Sequence, residues 1–323
     1  MSRPHGQGGN KYFPARTAAL TLWATACVIG CGGAPDNSDG AAPLAAAAAF
    51  AKLSAIKIDT ANLEAEAETG IYSEFWLEDD PVQGAVILAR APSGADKVTL
   101  DGQPLAIEPD GFFLIGFDRD SADHARLAAQ FDSGKTIEKN IRVRSGDWRI
   151  ERVNAPATGT AKTTAEFRAR RAGELAQINA ARAVKTDSGG WRQDFIWPAK
   201  GRVSGVFGSQ RIYQGVPGSY HSGLDIAAPA GTPFATPADG VVILAAETPF
   251  TLEGYLLIID HGMGLSSAFL HCSALLVQKG DRVKQGQVIG RVGSTGRSTG
   301  PHLHWGMKWN AARVDPRLLL PKG

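Results

Sequence analysis

Cysteine is scarce in this chain of 323 residues, which contains only Cys27, Cys31 and Cys272. The first two lie within or beside an apolar segment near the N-terminus. If that segment is removed up to Cys31 and Cys31 is modified, Cys272 is the one remaining thiol, so an intramolecular disulfide is excluded. A hydrophobic core must then hold the fold, and a chain of this length is large enough to build one.

The chain also lacks an excess of charge of either sign. It has 34 Lys and Arg residues against 32 Asp and Glu residues, which gives a formal net charge of +2. Proteins that bind nucleic acids concentrate basic residues in a patch or along one face, and no such stretch is present. The sequence therefore predicts no nucleic-acid partner.

The apolar run near the N-terminus is too short to span a membrane. It covers residues 17–30, roughly fourteen residues, whereas a membrane-spanning helix needs about twenty. Arg3, Lys11 and Arg16 precede this uncharged run, an arrangement that is typical of an export signal. We therefore interpret residues 1–30 as a signal peptide.

The signal segment ends in Val28-Ile29-Gly30-Cys31, which resembles a bacterial lipobox. In that motif the cysteine is lipidated and becomes the mature N-terminus. The resemblance implies a membrane anchor at Cys31 and an exported, periplasmic lipoprotein of the cell envelope, anchored to the outer membrane. An ordinary secretory signal that is cleaved nearby is the alternative.

Composition divides the rest of the chain into four segments. Residues 31–52 are rich in Gly, Ala, Asp, Asn and Ser, which predicts a flexible tether. Residues 53–153 contain short β-type runs separated by turn signals such as Asp101-Gly102, which predicts a small β-sandwich acting as a spacer or binding module. Residues 154–190 form a linker that is predicted to be helical from Thr163 to Val184. The apolar residues spaced for one face of this helix are Phe167, Ala172, Leu175, Ile178 and Ala181.

The last segment, residues 191–323, is rich in Gly and Pro and again contains short β-type runs. Together with the β-sandwich, it predicts a mainly β protein with one helical linker. Five of the seven histidines fall between positions 221 and 304. This concentration is the strongest functional signal in the sequence.

Two short patterns contain most of these histidines. The first is His221-Ser-Gly-Leu-Asp225, and the second is His302-Leu-His304. Alternate residues of a strand share a face, so both histidines of the second pattern point into one cleft. His221 and Asp225 can converge only if their segment bends. Histidine and aspartate suit zinc, and three protein ligands leave one position for water, as in catalytic zinc sites.

With their flanking segments, these patterns resemble the lysostaphin/LytM-type zinc metallopeptidase family. The flanks are Gly205-Val-Phe-Gly208, the segments 231–240 and 260–262, and the run 293–301. The match covers about 130 residues at the C-terminal end. It implies a groove built from antiparallel β-sheets and a substrate in the peptides of bacterial peptidoglycan.

The resemblance also implies a role for each residue. His221, Asp225 and His304 are expected to bind one Zn²⁺ ion, and His271 and His302 occupy the positions of the two catalytic histidines. Either histidine can accept a proton from water or stabilise the oxyanion near neutral pH. Which of them is the base stays open at this point.

Several other interpretations remain. The chain could be a catalytically silent wall-binding module or amidase activator of the LytM type, or a zinc peptidase that acts on a protein. Cys272 next to His271 suggests a thiol hydrolase, but neighbouring strand residues point to opposite faces, so a buried structural residue is favoured. His261, in an Asp-His-Gly turn, is interpreted as structural.

Overall fold

The structure, a computed structural model, describes residues 71–156 and 164–321. These residues all belong to one compact unit, Thr60–Gly323. The predicted signal peptide, the lipidation site Cys31 and the tether 31–52 lie outside the described residues. Within the described ranges, no helix has both the length and the apolar character that a membrane span requires.

The described part of the N-terminal region is built from short strands. They are β1 (Trp76–Leu77), β2 (Val86–Arg90), β3 (Lys97–Leu100), β4 (Gln103–Leu105), β5 (Phe112–Gly116), β6 (His124–Gln130), β7 (Thr136–Arg142) and β8 (Ile150–Val153). The first seven form two antiparallel sheets, in the orders β1-β2-β5 and β4-β3-β6-β7. Asp101 and Gly102 join β3 to β4 with positive φ angles of 48° and 79°, as a type I′ hairpin turn requires.

The two N-terminal sheets share one hydrophobic core. Ile87 on β2 and Phe113 on β5 meet Val98 on β3 and Leu127 on β6 in a single buried cluster. Inner faces that interdigitate in this way define a β-sandwich. The mainly β fold class predicted from the sequence, including this sandwich, is therefore confirmed.

One α-helix, α1 (Ala165–Ala183), follows the sandwich. The side chain of Thr164 caps it by accepting a hydrogen bond from the N–H of Phe167 at 3.1 Å. The helix was expected from the sequence, but its apolar face is thinner than expected. Ala181 is buried, whereas Leu175, assigned to the same face, is 42% exposed.

A buried carboxylate, Glu174, docks the first half of α1 in place of the missing apolar side chains. Its oxygens accept hydrogen bonds from the N–H and hydroxyl of Thr251, at 2.7 and 2.5 Å. Arg170 and Arg171 also donate to it, at 3.1 and 3.2 Å. Arg171 reaches further, with two hydrogen bonds to Glu253 at 2.6 and 2.7 Å.

Replacing Glu174 with alanine is expected to lower the free energy of unfolding by about 2–3 kcal/mol, because several donors lose a charged acceptor at once. Urea unfolding followed by circular dichroism measures this change. Gln177→Ala, at an exposed position of the same helix, is the matched control and should change stability by less than about 0.5 kcal/mol. Equal stability of the two variants would contradict the docking role of Glu174.

The C-terminal region contains the remaining strands. They are β9 (Arg202–Gly205), β10 (Gln210–Tyr213), β11 (Val216–Pro217), β12 (Leu224–Ala227), β13 (Pro233–Ala235), β14 (Gly240–Ala245), β15 (Tyr255–Gly262), β16 (Leu265–Cys272), β17 (Ala274–Leu275), β18 (Arg282–Val283), β19 (Val288–Arg291), β20 (His302–Trp309) and β21 (Ala312–Val314). Short 3-10 helices cover Gly190–Arg192 and Pro316–Leu319.

Most of these strands form one eight-stranded sheet, in the order β18-β14-β15-β16-β20-β12-β9 with β21 paired to β20. A second sheet has the order β13-β19-β17, and β10 joins β11 to β8. The large sheet covers a core that includes Leu303 and Trp305, and Val86 and Leu114 of the sandwich belong to the same core. The sandwich and the large sheet therefore pack directly on each other.

The opposite face of the large sheet carries α1. Ala181, with Ile178 packed beside it, joins a cluster that includes Ile258 on β15 and Ala268 on β16. Along β20 the buried and partly buried residues alternate strictly. His302, His304 and Lys308 consequently lie on the same face as α1, while Leu303 and Trp305 point into the core.

His261 lies in the interior of the sheet, as its structural interpretation requires. Its ring nitrogens lie 2.8 Å from the carbonyl oxygen of Asp239 and 2.8 Å from the hydroxyl of Ser267. Burial lowers the pKa of His261 to about 4. The folded protein therefore resists protonation at a pH where the unfolded chain accepts it.

This difference predicts a loss of stability in acid. The unfolded histidine takes up a proton below about pH 6.5, and the folded one does so only near pH 4. Stability should therefore fall as the pH drops from 6.5 to 4, by about 3 kcal/mol from this group. Urea unfolding at several pH values should give a flatter profile for His261→Gln than for the wild type. Parallel profiles would contradict the assignment.

Candidate metal centre

Three side chains from separate parts of the sequence meet on the α1-bearing face of the large sheet. Nε2 of His221 lies 3.1 Å from Oδ1 of Asp225 and 3.1 Å from Nδ1 of His304. Nδ1 of His304 lies 2.8 Å from the same carboxylate oxygen. Asp225 on β12 and His304 on β20 are cross-strand partners. Strand pairing therefore brings together two residues that are 79 positions apart.

His221 joins this pair because the chain turns just before β12. The N–H of His221 donates to the carbonyl of Ser209, and its carbonyl accepts from the N–H of Gly208, both at 2.8 Å. These bonds hold residues 221–225 in a bent path instead of an extended one. The structure thus contains the bend that convergence of His221 and Asp225 requires.

Two glycines leave the space that the cluster occupies. A Cβ atom on Gly223 would lie 2.7 Å from Nε2 of His304 and 2.7 Å from the carbonyl oxygen of Trp305. A Cβ atom on Gly205 would overlap the carboxylate of Asp225 and lie 3.1 Å from His221. Neither glycine has a left-handed backbone. Both are therefore required for close approach.

Gly223→Ala is expected to weaken zinc binding by about 10- to 100-fold, the usual cost of disturbing the groups that support a metal ligand. The added methyl group displaces the imidazole of His304 and also presses on the carbonyl oxygen of Trp305. Competition with a chromogenic chelator measures the affinity. Gly173→Ala adds the same methyl group in open space on α1 and should leave the affinity unchanged, so equal values for the two variants would contradict the steric argument.

A hydrogen bond to the backbone fixes the orientation of the His221 ring. Its Nδ1 lies 3.1 Å from the carbonyl oxygen of Val206. A carbonyl can only accept, so Nδ1 carries the proton, and the neutral ring presents the lone pair of Nε2 to the cluster. A second partner of this kind sets the tautomer of metal-binding histidines and raises their basicity.

Electrostatics favour an ionised carboxylate in the cluster. Burial opposes ionisation of Asp225, but its hydrogen bonds to His221 and His304, and their charge, hold its pKa well below the usual range. Burial opposes protonation of His221, yet Asp225 raises its pKa above the ordinary value. Burial lowers the pKa of His304 by more than its interactions with Asp225 raise it. A cation can therefore find an anionic oxygen and a neutral imidazole here.

The donor set fits zinc. Two imidazole nitrogens and one carboxylate oxygen are common zinc ligands, with bonds of about 2.0–2.1 Å that separate neighbouring ligand atoms by about 3.3 Å in a tetrahedron. The three donor atoms lie 2.8 to 3.1 Å apart. Within residues 71–156 and 164–321, this is the one group of three or more His, Cys, Asp or Glu residues able to hold a metal ion.

The two remaining histidines of the predicted site lie beside the cluster. Nε2 of His302 is 3.7 Å from Oδ1 of Asp225, and the ring centroids of His271 and His302 are 5.0 Å apart. Each Nδ1 lies 2.8 Å from a carbonyl oxygen, that of Thr295 for His271 and that of Gly300 for His302. Nδ1 of each ring therefore donates to that carbonyl, which leaves Nε2 of each ring for another partner.

His271 stands in an unusual backbone conformation. Its φ angle is +62°, a value that non-glycine residues seldom adopt outside functional or strained sites. Its N–H donates to the carbonyl of Glu253 at 2.8 Å. Burial lowers the pKa of His271, although its bond to Thr295 opposes this. The ring is consequently neutral near pH 7 and can accept a proton.

Cys272, next to His271, has a thiol that solvent does not reach. Its side chain is fully buried, and Sγ donates weakly to the carbonyl oxygens of Phe269 and Leu270, at 3.6 and 3.8 Å. Burial raises the pKa of this thiol to about 12. A reactive thiolate is therefore absent at neutral pH, which favours the structural interpretation of Cys272.

Comparison with known proteins places the cluster in a family. The model of peptidase family M23 matches residues 219–316, which include all five residues of the predicted site. Peptidoglycan DD-endopeptidase ShyA of Vibrio cholerae is 42% identical over 108 residues, 33% of this chain and 25% of ShyA. Cell division protein DipM of Caulobacter vibrioides is 36% identical over 134 residues, 40% of this chain and 21% of DipM.

The similarity to these curated relatives thus spans about a quarter of their length. Likeness of fold extends further. The crystal structure of an M23 peptidase candidate from Pseudomonas aeruginosa superposes with a TM-score of 0.59 at 29% identity, and it covers 75% of this chain and 96% of that one. Sequence and fold agree, so the chain belongs to peptidase family M23 through a C-terminal domain of the LytM/lysostaphin type.

Proposed function

We propose that this protein is a zinc-dependent endopeptidase that hydrolyses peptide cross-links or stem peptides of bacterial peptidoglycan. One observation carries the proposal. Three potential zinc ligands and two further histidines converge on one partly exposed face, within a family of peptidases. Relatives that are named peptidoglycan endopeptidases support the choice of substrate.

His221, Asp225 and His304 would hold the metal. Bound there, zinc would polarise the scissile carbonyl and acidify a water molecule. His302 and His271 would act on the same atoms from the side of the cleft, each through Nε2. One would accept the proton of the attacking water at Nε2, and the other, when it also carries a proton on Nε2, would donate a hydrogen bond to the oxygen on which negative charge develops.

The arrangement favours hydrolysis over a silent binding role. A module that only binds the wall or activates an amidase has no need for an intact set of ligands and proton carriers. Here each of the five side chains is present, and those of His221, His271 and His302 have a backbone carbonyl as an orienting partner. Preorganisation of this kind is costly and is typical of catalytic sites.

Digestion of isolated sacculi tests the proposal. Purified protein with zinc should convert cross-linked muropeptide dimers into monomers, as seen by mass spectrometry, and excess chelator should prevent this. An amidase activator would leave the muropeptides unchanged on its own and release stem peptides only after an amidase is added. If cross-linked dimers stay intact when the protein and zinc act without an amidase, the proposed reaction is contradicted. Cleavage of a protein substrate alone would support the protein-peptidase alternative.

We also propose that the mature chain is an exported lipoprotein anchored through Cys31, with a tether, a β-sandwich and a helical linker before the peptidase domain. The support is the N-terminal sequence pattern and its short apolar run. Labelling of growing cells with a palmitate analogue should tag the wild type and leave Cys31→Ser untagged. Labelling of both proteins would contradict the anchor.

A further inference from the structure

A cavity of about 160 Å³ adjoins the metal centre on the α1-bearing face of the sheet. Ser222 and His304 line it on the side of the metal centre, and Lys308 lies farther along β20. Arg313 on β21 and Arg182 on α1 complete its polar wall. Arg182 lies outside residues 219–316, so a segment beyond the family domain helps to build this cavity.

Strand register explains why the three cations gather. Ser266 on β16 pairs with Lys308 on β20, and Lys308 pairs with Arg313 on β21. Directly opposed residues have Cβ atoms about 4.5–5.5 Å apart. Arg182 reaches this row from the helix and donates to the hydroxyl of Ser266 at 3.3 Å. The three cationic side chains, here called the cationic row, therefore surround one short stretch of the groove.

Within the described part of the chain, the three cations of the row face only two nearby carboxylates, Asp118 and Glu253, and Asp118 accepts a hydrogen bond from the N–H of Arg313 at 2.9 Å. Glu253 is the one carboxylate that lines the cavity, and its two oxygens are taken by Arg171. Among the described residues, neither Arg182 nor Lys308 forms an ion pair. Arg313 donates to the hydroxyl of Tyr220 at 3.2 Å, and that hydroxyl in turn donates to Asp118 at 2.8 Å.

The cost of this arrangement appears in the ionisation of Arg182 and Lys308, whereas Tyr220 and Asp118 raise the pKa of Arg313. Burial and the charge of Arg313 lower the pKa of Arg182 to about 10. Burial, with the charges of Arg182 and Arg313, also lowers the pKa of Lys308. Like charges that are held together in a partly desolvated cavity repel one another, and a bound anion relieves that repulsion.

We propose that the cationic row is a subsite that binds a carboxylate of the peptide substrate while the scissile bond lies at the metal centre. The proposal rests on the proposed function, because peptidase substrates in the cell wall are anionic peptides. Guanidinium and ammonium groups bind carboxylates through charge-assisted hydrogen bonds. Lys308 lies four residues after His304 on the same face of β20, so the two residues are about 13 Å apart along the strand. An extended peptide covers that distance in about four residues, so the recognised carboxylate is expected about three to four substrate residues from the bond that is cut.

A binding experiment tests this independently of hydrolysis. The probes are a stem tetrapeptide with all carboxylates free, the same peptide amidated at its C-terminus, and the same peptide amidated at its side-chain carboxylate. Isothermal titration uses the full zinc-loaded chain carrying His302→Ala, so that any cleavage of the probe is slow on the timescale of the titration. The free peptide should bind at least tenfold more tightly than one of the two amides, and that amide identifies the carboxylate that is recognised.

Substitutions then assign the effect to the row. In the same background, Lys308→Gln should weaken binding of the free peptide about tenfold and leave binding of the discriminated amide unchanged. Arg182→Gln should act in the same direction, and Lys308→Gln keeps the test valid if that helix variant unfolds. Lys200→Gln, at an exposed position, is the matched control and should change neither affinity.

Failure at either of the two steps would overturn the subsite. In the titration with the three probes, the overturning result is equal affinity for the free peptide and both amides, or no measurable binding of the free peptide. In the titration of the variants, it is an unchanged preference for the free peptide in Lys308→Gln. Failure of the proposed function looks different, because discrimination between acid and amide would persist in binding while the wild-type chain left sacculi uncut.

Discussion

Replacing His304 with alanine is expected to abolish peptidoglycan hydrolysis and zinc binding while the protein stays folded. Nδ1 of His304 lies within 3.1 Å of the donor atoms of both His221 and Asp225, so its loss removes one of three ligands. Two protein ligands do not hold zinc in a catalytic geometry. Without the metal, the water that attacks the peptide bond keeps a pKa of about 15.7 instead of about 7.

Three measurements define this outcome. Metal analysis after dialysis should give one zinc per wild-type chain and essentially none for His304→Ala, muropeptide release should fall to background, and the far-UV circular dichroism should be unchanged. His124→Ala is the matched control, since His124 is a solvent-exposed histidine of the β-sandwich. Full zinc occupancy or residual cleavage in His304→Ala would show that this cluster is not the metal site.

Strand periodicity made part of this site predictable. The pattern His302-Leu-His304 places two imidazoles on one face only if the segment is a strand, and β20 has that alternation. The intervening Leu303 is fully buried. The bend before Asp225 could also be expected, because residues four apart cannot converge in an extended chain.

Other features could not be found in the sequence because they depend on long-range register or on the backbone. The carbonyls of Val206 and Thr295 orient His221 and His271, yet a carbonyl is the same in every residue type. The meeting of Arg182 and Lys308 requires both the pairing of β16 with β20 and the docking of α1. The spacing of apolar residues along α1 predicted an apolar contact face, but the buried residues of this helix are Glu174 and Ala181, and the carboxylate of Glu174 docks its first half.

Replacing either His271 or His302 with alanine should reduce peptidoglycan cleavage by about 10²- to 10⁴-fold, the usual contribution of a general base or acid. In contrast to His304→Ala, both variants should retain zinc. Nε2 of His302 lies 3.7 Å from Oδ1 of Asp225, and the ring centroids of His271 and His304 are 6.2 Å apart. His221, Asp225 and His304 already supply the three protein ligands of a catalytic zinc site, so neither ring is needed as a ligand.

The pH profile of each variant separates the two roles. Wild-type activity should fall on the acidic side as the base becomes protonated, and this limb should disappear in the variant that lacks the base, leaving a slow reaction driven by hydroxide. The variant that lacks the oxyanion donor should keep the limb at a lower rate. Because burial lowers the pKa of His271, a limb below pH 6.5 that vanishes in His271→Ala would identify His271 as the base. A limb that vanishes in His302→Ala instead would give that role to His302, and wild-type rates in both variants would contradict a catalytic role for either.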